Sequence, residues 1–502
     1  MIMHMATPSK NILWLSVSRV LGLVLLFFAY TQLFRYLGPF GTGQYQFVLS
    51  LVTIFGVVID LGISQYVTKK IAEEPKEVSK LFHTFFAAEV FLAGIIYALM
   101  VVFVFWRGYE PVVQQAVMVA GVGLFCYGLT TPFLSVLSAF QDLRRVAAIN
   151  LLASVINAVI IFSAIHFQHY IVFLALNQVV YGVVAFFLYR HFVKAYVPQM
   201  HLWAVLQHVD WKLLKKILVA ALPFALLVSF STVYNRIDIV IITKLLGYAE
   251  TGLYTAAYKV VDLTNFFPAV VSHALYPVLA ALMAKGALSE VRGTLEKYMR
   301  FMVALALPMA MLGSLLSKPL ILILTSGDAR FLPAAPVLSI LVWAIAILFI
   351  YVTANSLVVS QLTKWAVVVT GVNVVINIVG NVVLLPWIGI RGAAIMTVVS
   401  EGLQGIFYFY FIWKHITHFS LVQAFAKPLA ATLCMGVLVF VLRDMVALGL
   451  PDAASAAQMA VLVAKVAGVA LLGLTTYVAV LAAGKFFTSE DIAFVNRFLR
   501  RA

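Results

Sequence analysis

Apolar residues run along this chain in long blocks with short polar punctuation between them, from one end to the other. Fourteen blocks are long enough, at about 1.5 Å of rise per helical residue, to cross a hydrocarbon core about 30 Å thick. They cover 11–34, 44–66, 81–105, 112–138, 147–165, 171–192, 217–243, 252–283, 298–325, 332–358, 365–385, 388–413, 428–450 and 457–484. The first block reads as a permanent span rather than a cleaved leader, because Arg19 interrupts it and no small-residue cleavage site follows. The pattern predicts an all-α polytopic membrane protein.

Between the blocks an eleven-residue motif occurs twice, 209 residues apart. Arg35–Tyr45 and Lys244–Tyr254 both read basic-x-Leu-Gly-x-x-x-Thr-Gly-x-Tyr. An internal repeat in so apolar a chain is the mark of a transporter built from two like halves, with cargo bound where the halves meet. Each half holds six spans, an even number, so the copies share one orientation and relate by an axis along the membrane normal. The expected organisation is an N-terminal lobe at 1–192, a connection at 193–216, a C-terminal lobe at 217–416, and two further spans with a tail at 417–502. In the connection, Leu202, Val205, Leu206, Val209 and Leu213 recur at helical spacing, flanked by Trp203 and Trp211. Lys212, Lys215 and Lys216 lie towards one end. That reads as an amphipathic helix lying on the cytoplasmic leaflet.

Composition agrees and adds orientation. Hydrophobic residues make up 64% of the 502 and charged ones 11%, a balance foreign to soluble folds of this size. With the N-terminus in the cytoplasm, and residues towards a span end counted with the adjoining loop, inner segments hold 23 of the 34 Lys and Arg residues, outer loops seven and spans four. Both termini then lie in the cytoplasm. The net charge of +15 follows from this bias and from attraction to anionic lipid, so no nucleic-acid partner is called for.

Several patterns are discounted. Cys126 and Cys434 fall inside spans and read as buried thiols, not a disulfide or metal site. His415 and His418 lack a third ligand, and His166 and His169 share one short loop, so neither a metal nor a cofactor is expected. Gly121, Gly123 and Gly128 suit close helix packing and lack the spacing of a dinucleotide fingerprint. Outer loops are no longer than about ten residues, which leaves no place for the catalytic groups of a membrane glycosyltransferase or ligase. The chain reads as a transporter, not an enzyme.

Ionisable residues inside spans cost roughly 2.5–3.5 kcal/mol each on insertion scales, which makes them the functional candidates. Arg19, Asp60 and Glu89 fall at inner-leaflet depth in the first lobe, with Arg19 expected within salt-bridge or water-bridged reach of Asp60 or Glu89. Arg236, Asp238, Lys259 and Asp262 fall in the outer half or middle of spans 7 and 8. Lys259 and Asp262, three apart, can pair along one helix face. Glu401 in span 12 and Lys465 in span 14 have no partner nearby in sequence. Asn373, Asn377 and Asn381 form a polar stripe down span 11, and Asn150 and Asn157 sit in span 5. Such amides either bond across helices or line a wet cavity. Pro132, Pro223, Pro268 and Pro308 fall within spans, where they loosen helices.

The stretch from Arg35 to Ala72, RYLGPFGTGQYQFVLSLVTIFGVVIDLGISQYVTKKIA, resembles the opening of bacterial polysaccharide-unit flippases, the Wzx-type members of the MOP superfamily. Tyr234 to Val260 is similar to that family's seventh and eighth helices, and Asn373 to Thr397 to its eleventh-to-twelfth turn. The resemblance implies a MOP/MATE-like fold of about fourteen transmembrane helices, two six-helix lobes plus two C-terminal helices. It also implies a function: moving an undecaprenyl-pyrophosphate-linked oligosaccharide across the bacterial cytoplasmic (inner) membrane by alternating access. Ser18-Arg19-Val20-Leu21-Gly22 resembles the opening of lipid II flippases, in which an Arg of the first helix faces the cavity. The Arg-Asp pair that follows there is absent, since Leu23-Val24-Leu25 comes next. Cations suit phosphate through bidentate bonds, so Arg19, Arg236 and Lys259 are the candidate substrate contacts. Asp60, Glu89, Asp238, Asp262 and Glu401 are the candidates for coupling to a proton or sodium gradient. The alternatives are a lipid II flippase, a MATE-like multidrug/cation antiporter, and, in a different class, a polyprenyl-dependent membrane glycosyltransferase or ligase.

Overall fold

The computed structural model describes residues 8–198, 210–264, 266–418, 422–447 and 456–486. Among these every regular element is helical. The first seven are α1 (Pro8–Asp60), α2 (Ile63–Glu73), α3 (Val78–Arg107), α4 (Pro111–Gly128), α5 (Thr131–Ala139), α6 (Leu143–His166) and α7 (Ile171–Val193). Five more follow: α8 (Trp211–Leu246), α9 (Tyr248–Thr264), α10 (Phe266–Ala284), α11 (Leu288–Leu315) and α12 (Ser317–Leu324). The last are α13 (Ala335–Gln361), α14 (Thr363–Ile388), α15 (Ile390–His415), α16 (Val422–Ala447) and α17 (Ala456–Ala483). Hydrocarbon offers no partner to a bare peptide group, so a helix, which bonds its own backbone, is the form these apolar blocks take.

Among the described residues, twelve helical stretches are long and apolar enough to cross a membrane. The difference from the expected fourteen has two sources. The first two expected spans belong to one stretch, Val17–Glu73, of 57 residues. Within it α1 is bent but not ended at Gly38, whose φ of 63° and ψ of −177° are non-helical. The expected span 252–283 is divided between α9 and α10. Expected span 112–138 is likewise two helices, α4 and α5, with Pro132 in the first turn of the second. A proline's missing N–H costs least there. Pro223 and Pro308 stay inside α8 and α11.

By contacts the chain divides into two compact units, residues 1–37 with 41–240 and residues 38–40 with 241–502. In the first unit an aromatic cluster forms the core. The Phe133 ring stands edge-on to Phe82 at 5.0 Å and to Phe186 at 5.6 Å. Ile63 and Val67 of α2 and Ile217 and Ala221 of α8 complete it. Each edge-to-face pair adds about 0.5–1.5 kcal/mol beyond burial. α4 and α7 touch through glycine: a Cβ at Gly182 would lie 2.9 Å from the Gly123 carbonyl, and one at Gly123 would run into the backbone of Gln178. The glycine pattern read from the sequence is thus a packing surface, where bare backbone allows the close approach on which association in lipid depends.

In the second unit α16 and α17 pack on α11 and α12 through Met435, Val439 and Tyr477. Tyr477 donates its hydroxyl to the Ala304 carbonyl at 2.7 Å. Cys434 is exposed, contrary to the expected buried thiol; Cys126 is partly buried. Leu433 and Val437 are exposed beside Cys434, so this face of α16 is apolar and outward, as a lipid-contacting face is.

The described part of the connection does not form a separate surface helix. Residues 211–216 are the first turns of α8, while 199–209, with most of the expected amphipathic pattern, lie outside the described residues, as do 1–7 and 487–502. Asp210 caps α8, accepting the Leu213 N–H at 2.9 Å and pairing with Lys80 at 3.1 Å. The backbone bond from Leu213 and then the Lys80 ammonium hold its carboxyl below the usual carboxylate range.

Two predictions follow from this packing. Gly182→Leu must push α7 off α4, at the cost of about 1–3 kcal/mol typical of overpacking; thermal unfolding of the purified protein measures it, with Gly94→Leu, where a Cβ meets nothing, as the neutral control. Because the Asp210 carboxyl is depressed in the folded state, its contribution is intact above the ordinary carboxylate range and lost as pH falls through it. Amide exchange in the first turn of α8 should therefore quicken on acidification, and Lys80→Ala should move that onset to higher pH.

Candidate functional site

The chain breaks where an intramembrane charge sits. α1 ends at Asp60, and Leu61 and Gly62 both adopt left-handed backbone, with φ of 45° and 66°, before α2 starts. For Leu61 this conformation costs about 1–2 kcal/mol. Asp60 holds the break, accepting the Ser64 N–H at 2.9 Å and the Ser64 hydroxyl at 2.7 Å. Gly62 is needed for a second reason. The backbone of α8 passes so close that a Cβ there would lie 2.6 Å from the Ala225 nitrogen.

Glu89, on α3, is fully buried, and neither carboxylate oxygen meets a hydrogen-bond donor. Ile59, Gly128 and Asp60 lie near it: a Cβ at Gly128 would lie 3.3 Å from Ile59 and 3.6 Å from Glu89 Oε2. Asp60 lies near both Glu89 and the Tyr127 hydroxyl. The two carboxylates lie near one another; of the two arrangements expected for Arg19, a salt bridge or a bridge through water, the salt bridge is not formed among the described residues. Arg19 is exposed, Asp60 bonds Ser64, and the Glu89 oxygens meet no donor. Ser18, its neighbour, is the residue that turns inward, and Gly22, one turn on, meets Ser154.

The second unit holds a buried polar network on α13, α14 and α15. Tyr351 donates its hydroxyl to Glu401, which is 9% exposed. The Tyr408 hydroxyl lies 3.2 Å from that of Thr370 and accepts from Gln404 at 3.2 Å. Asn373 donates to Gln404 at 2.6 Å, Asn377 to Ser400 at 3.5 Å, and Asn381 to Asn377 at 3.0 Å. The asparagine stripe therefore bonds across to α15. Tyr351, Tyr408, Gln404, Thr370 and Ser400 were not singled out from the sequence. The signal was available for two: Gln404 and Tyr408 follow Glu401 at spacings of three and then four, one face of a helix.

The other candidates lie on α8, α9 and α17. Arg236 is half-buried and Asp238 buried on α8; Lys259 is half-buried and Asp262 exposed on α9; Lys465 is exposed on α17. Among the described residues no group of three His, Cys, Asp or Glu side chains is placed to hold a metal.

Both copies of the repeat put their glycine in left-handed backbone, Gly38 at φ 63° and Gly247 at φ 92°, with Tyr45 and Tyr254 buried after them. Thr251 donates its hydroxyl to the Gly247 carbonyl at 2.9 Å. Within the second unit the Phe40 ring meets Tyr248 edge-on at 5.6 Å, and the Pro39 carbonyl occupies the space a side chain at position 252 would take.

The family profile described as polysaccharide biosynthesis protein matches residues 9–283, more than half of the chain. The chain belongs to the polysaccharide biosynthesis protein family. A second profile, MatE, matches residues 223–383. The family member is 23% identical to an uncharacterized membrane protein of Methanocaldococcus jannaschii, over 74% of its own length and 76% of the relative's. It is 24% identical to a probable flippase of Haloferax volcanii, over 43% of its length and 46% of the relative's. A probable low-salt glycan biosynthesis flippase of the same organism is also 24% identical, over 37% and 39%. The chain thus spans less than half the length of the two relatives named as flippases. Its fold is that of the MOP superfamily. It superposes on the lipid II flippase MurJ in an inward closed conformation with a TM-score of 0.71 at 13% identity, over 93% of this chain and 99% of that one. For a multidrug resistance MATE transporter in an inward-facing conformation the values are 0.63, 14%, 78% and 94%.

Tyr351→Phe in this family member removes the donor and leaves the Glu401 oxygen buried. A loss of about 1–3 kcal/mol is expected, measured by thermal unfolding. The double variant Tyr351→Phe/Glu401→Gln should lose less than the sum of the two single changes, as directly bonded partners do.

Proposed function

We propose that this protein is a flippase that carries a polyprenyl-pyrophosphate-linked oligosaccharide, undecaprenyl-linked in a bacterial host, from the inner to the outer leaflet of the cytoplasmic membrane. The observation that carries the reading is membership of the polysaccharide biosynthesis protein family, joined to relatives named as probable flippases. The fold, shared with a lipid II flippase, is compatible with it. The chemistry also supports a carrier rather than an enzyme. A phosphate- and sugar-bearing head group cannot enter hydrocarbon unaided, and the loops after α3, α6, α8 and α14 are of one to four residues. We take the membrane to be crossed fourteen times, with α1 making two passes about Gly38 and α9 with α10 making one, and both termini to be cytoplasmic.

In this reading Arg19 meets the pyrophosphate while the path is open to the cytoplasm, and Arg236 or Lys259 holds it before release on the far side. Each open state has to offer its own favourable contact, since cargo that binds both states equally shifts neither. Arg19 is exposed and makes no ion pair among the described residues, which supports this assignment. A MATE-like antiport of drugs or cations is the second reading, favoured by the MatE profile over residues 223–383.

The test is polymer export. Arg19→Ala should cut export about tenfold to a hundredfold, the worth of one charge-assisted bond, with normal protein levels in the membrane. Near-wild-type export would reduce Arg19 to a structural residue. Cysteines placed at 19 and 236, with Cys126 and Cys434 replaced by Ser, should react with a water-soluble thiol reagent from opposite sides of the membrane. Reaction of both from one side only, in every condition, would sink the handover. Intact export in a null strain together with raised drug accumulation would favour the second reading.

A further inference from the structure

The end of the second unit that carries the second copy of the repeat motif holds an open cavity of about 440 Å³. Leu246 ends α8 and Glu250 stands in the first turn of α9, on either side of the turn at Gly247. Ile388 ends α14 and Ile390 begins α15, with Gly389 between them at a φ of 63°. A side chain at 389 would meet nothing, so this turn leaves the space open. Pro333 closes the cavity from the short turn before α13, and Arg391 from the start of α15. The volume lies within the range of about 300–1,000 Å³ typical of ligand sites.

Two opposite charges line this cavity, and neither is engaged. Among the described residues exposed Arg391 and half-buried Glu250 make no ion pair, with each other or with any other group. The backbone on each side is fixed. Thr251, next to Glu250, donates its hydroxyl to the Gly247 carbonyl at 2.9 Å and lies 2.8 Å from the Thr243 hydroxyl. Gly392, next to Arg391, is pressed so near α14 that a Cβ there would lie 3.0 Å from the Leu384 backbone. The nearest charged pair does not complete the site, because Arg330 is held by both oxygens of Asp328. A guanidinium in the first turn of α15 also stands against the positive end of the helix dipole, so an anion would neutralise both. The Glu250 carboxylate asks for the opposite, a cationic donor.

The depth of the cavity narrows the choice of ligand. Trp387, beside Ile388, is 84% exposed, and an exposed tryptophan at a span end marks the level of the lipid head groups. We infer that this cavity binds the head group of a zwitterionic phospholipid, its phosphate on Arg391 and its primary ammonium on Glu250. Guanidinium meets phosphate through two parallel bonds, and the carboxylate accepts from the ammonium. Leu246, Pro333, Ile388 and Ile390 supply apolar wall for the glycerol and the first acyl carbons. A purely anionic head group, or the pyrophosphate of a lipid-linked sugar, satisfies Arg391 but sets like charge against Glu250. With both termini cytoplasmic the lipid belongs to the outer leaflet; its binding does not depend on which cargo the protein carries. One bound lipid joins the starts of α9 and α15, so it stabilises the folded second unit.

Native mass spectrometry of the full-length protein in detergent, titrated with phosphatidylethanolamine or with anionic phosphatidylglycerol, tests this. The wild type should hold the first about tenfold more tightly than the second, the worth of one charge-assisted bond. Arg391→Ala should weaken phosphatidylethanolamine binding about tenfold to a hundredfold. Glu250→Lys should reverse the preference towards phosphatidylglycerol, a gain that unfolding cannot produce. Elution of both variants as the wild-type species checks their fold. A wild type with no preference, or a preference that survives in both variants, overturns the inference. A dye-labelled polyprenyl-pyrophosphate disaccharide is the third ligand. If it displaces phosphatidylethanolamine one for one, and Arg391→Ala weakens its binding equally, the cavity is a cargo contact and the lipid assignment is overturned.

Discussion

In hydrocarbon a peptide group has no partner except another part of the chain, and the rest of this structure follows from that constraint. Every described element is a helix. Where a helix stops, side-chain oxygens reach the freed backbone. Thr130 and Thr131 donate to the carbonyls of Tyr127 and Gly128 at 2.6 and 2.8 Å, closing the end of α4. Thr264 donates to Val261 at 2.7 Å at the end of α9, and Thr363 to Val359 at 2.7 Å where α13 passes into α14. Asp60 does the complementary task, accepting an N–H at the start of α2. It is the one of these breaks managed by a charge, and that is what makes it sensitive to a second charge nearby.

The same constraint decides how helices meet. Without water to expel, tight approach has to come from small residues, and the glycines at 123 and 182 bring α4 and α7 into backbone contact. Gly62 does the same for the α1–α2 turn against α8. A close-packed surface of this kind has few intermediate arrangements, so a small change at a break is transmitted rather than absorbed.

Much of this was legible in the sequence, because apolar length and glycine spacing are one-dimensional signals. The positions of Asp60, Glu89 and Glu401 inside spans are equally plain, since an ionisable residue in a twenty-residue apolar block needs no structure to be noticed. The turn at Leu61 was not legible. It contains no proline, and leucine rarely takes left-handed backbone, so only the approach of α8 and the Ser64 bonds to Asp60 explain it. The partners of Glu401 were hidden for a different reason. Tyr351 is 50 residues away on another helix, and a tyrosine in an apolar block is indistinguishable from core until its hydroxyl finds a carboxylate. Arg19 makes no salt bridge to Asp60 or Glu89 among the described residues because depth along a span says nothing of direction around it; Ser18 is buried and Arg19 is exposed.

The two buried glutamates show what position in the fold does to one functional group. Glu401 has a donor in Tyr351, whose ring lies tilted against that of Tyr408 at 5.7 Å. A carboxylate so bonded has its cost of burial largely offset, and it ties α13 to α15 as a fixed cross-link. Glu89 has apolar Ile59, a bare glycine and a second carboxylate around it. Its oxygens bond nothing among the described residues, so burial of the carboxyl is not offset there and, unlike Glu401, it ties no two helices together.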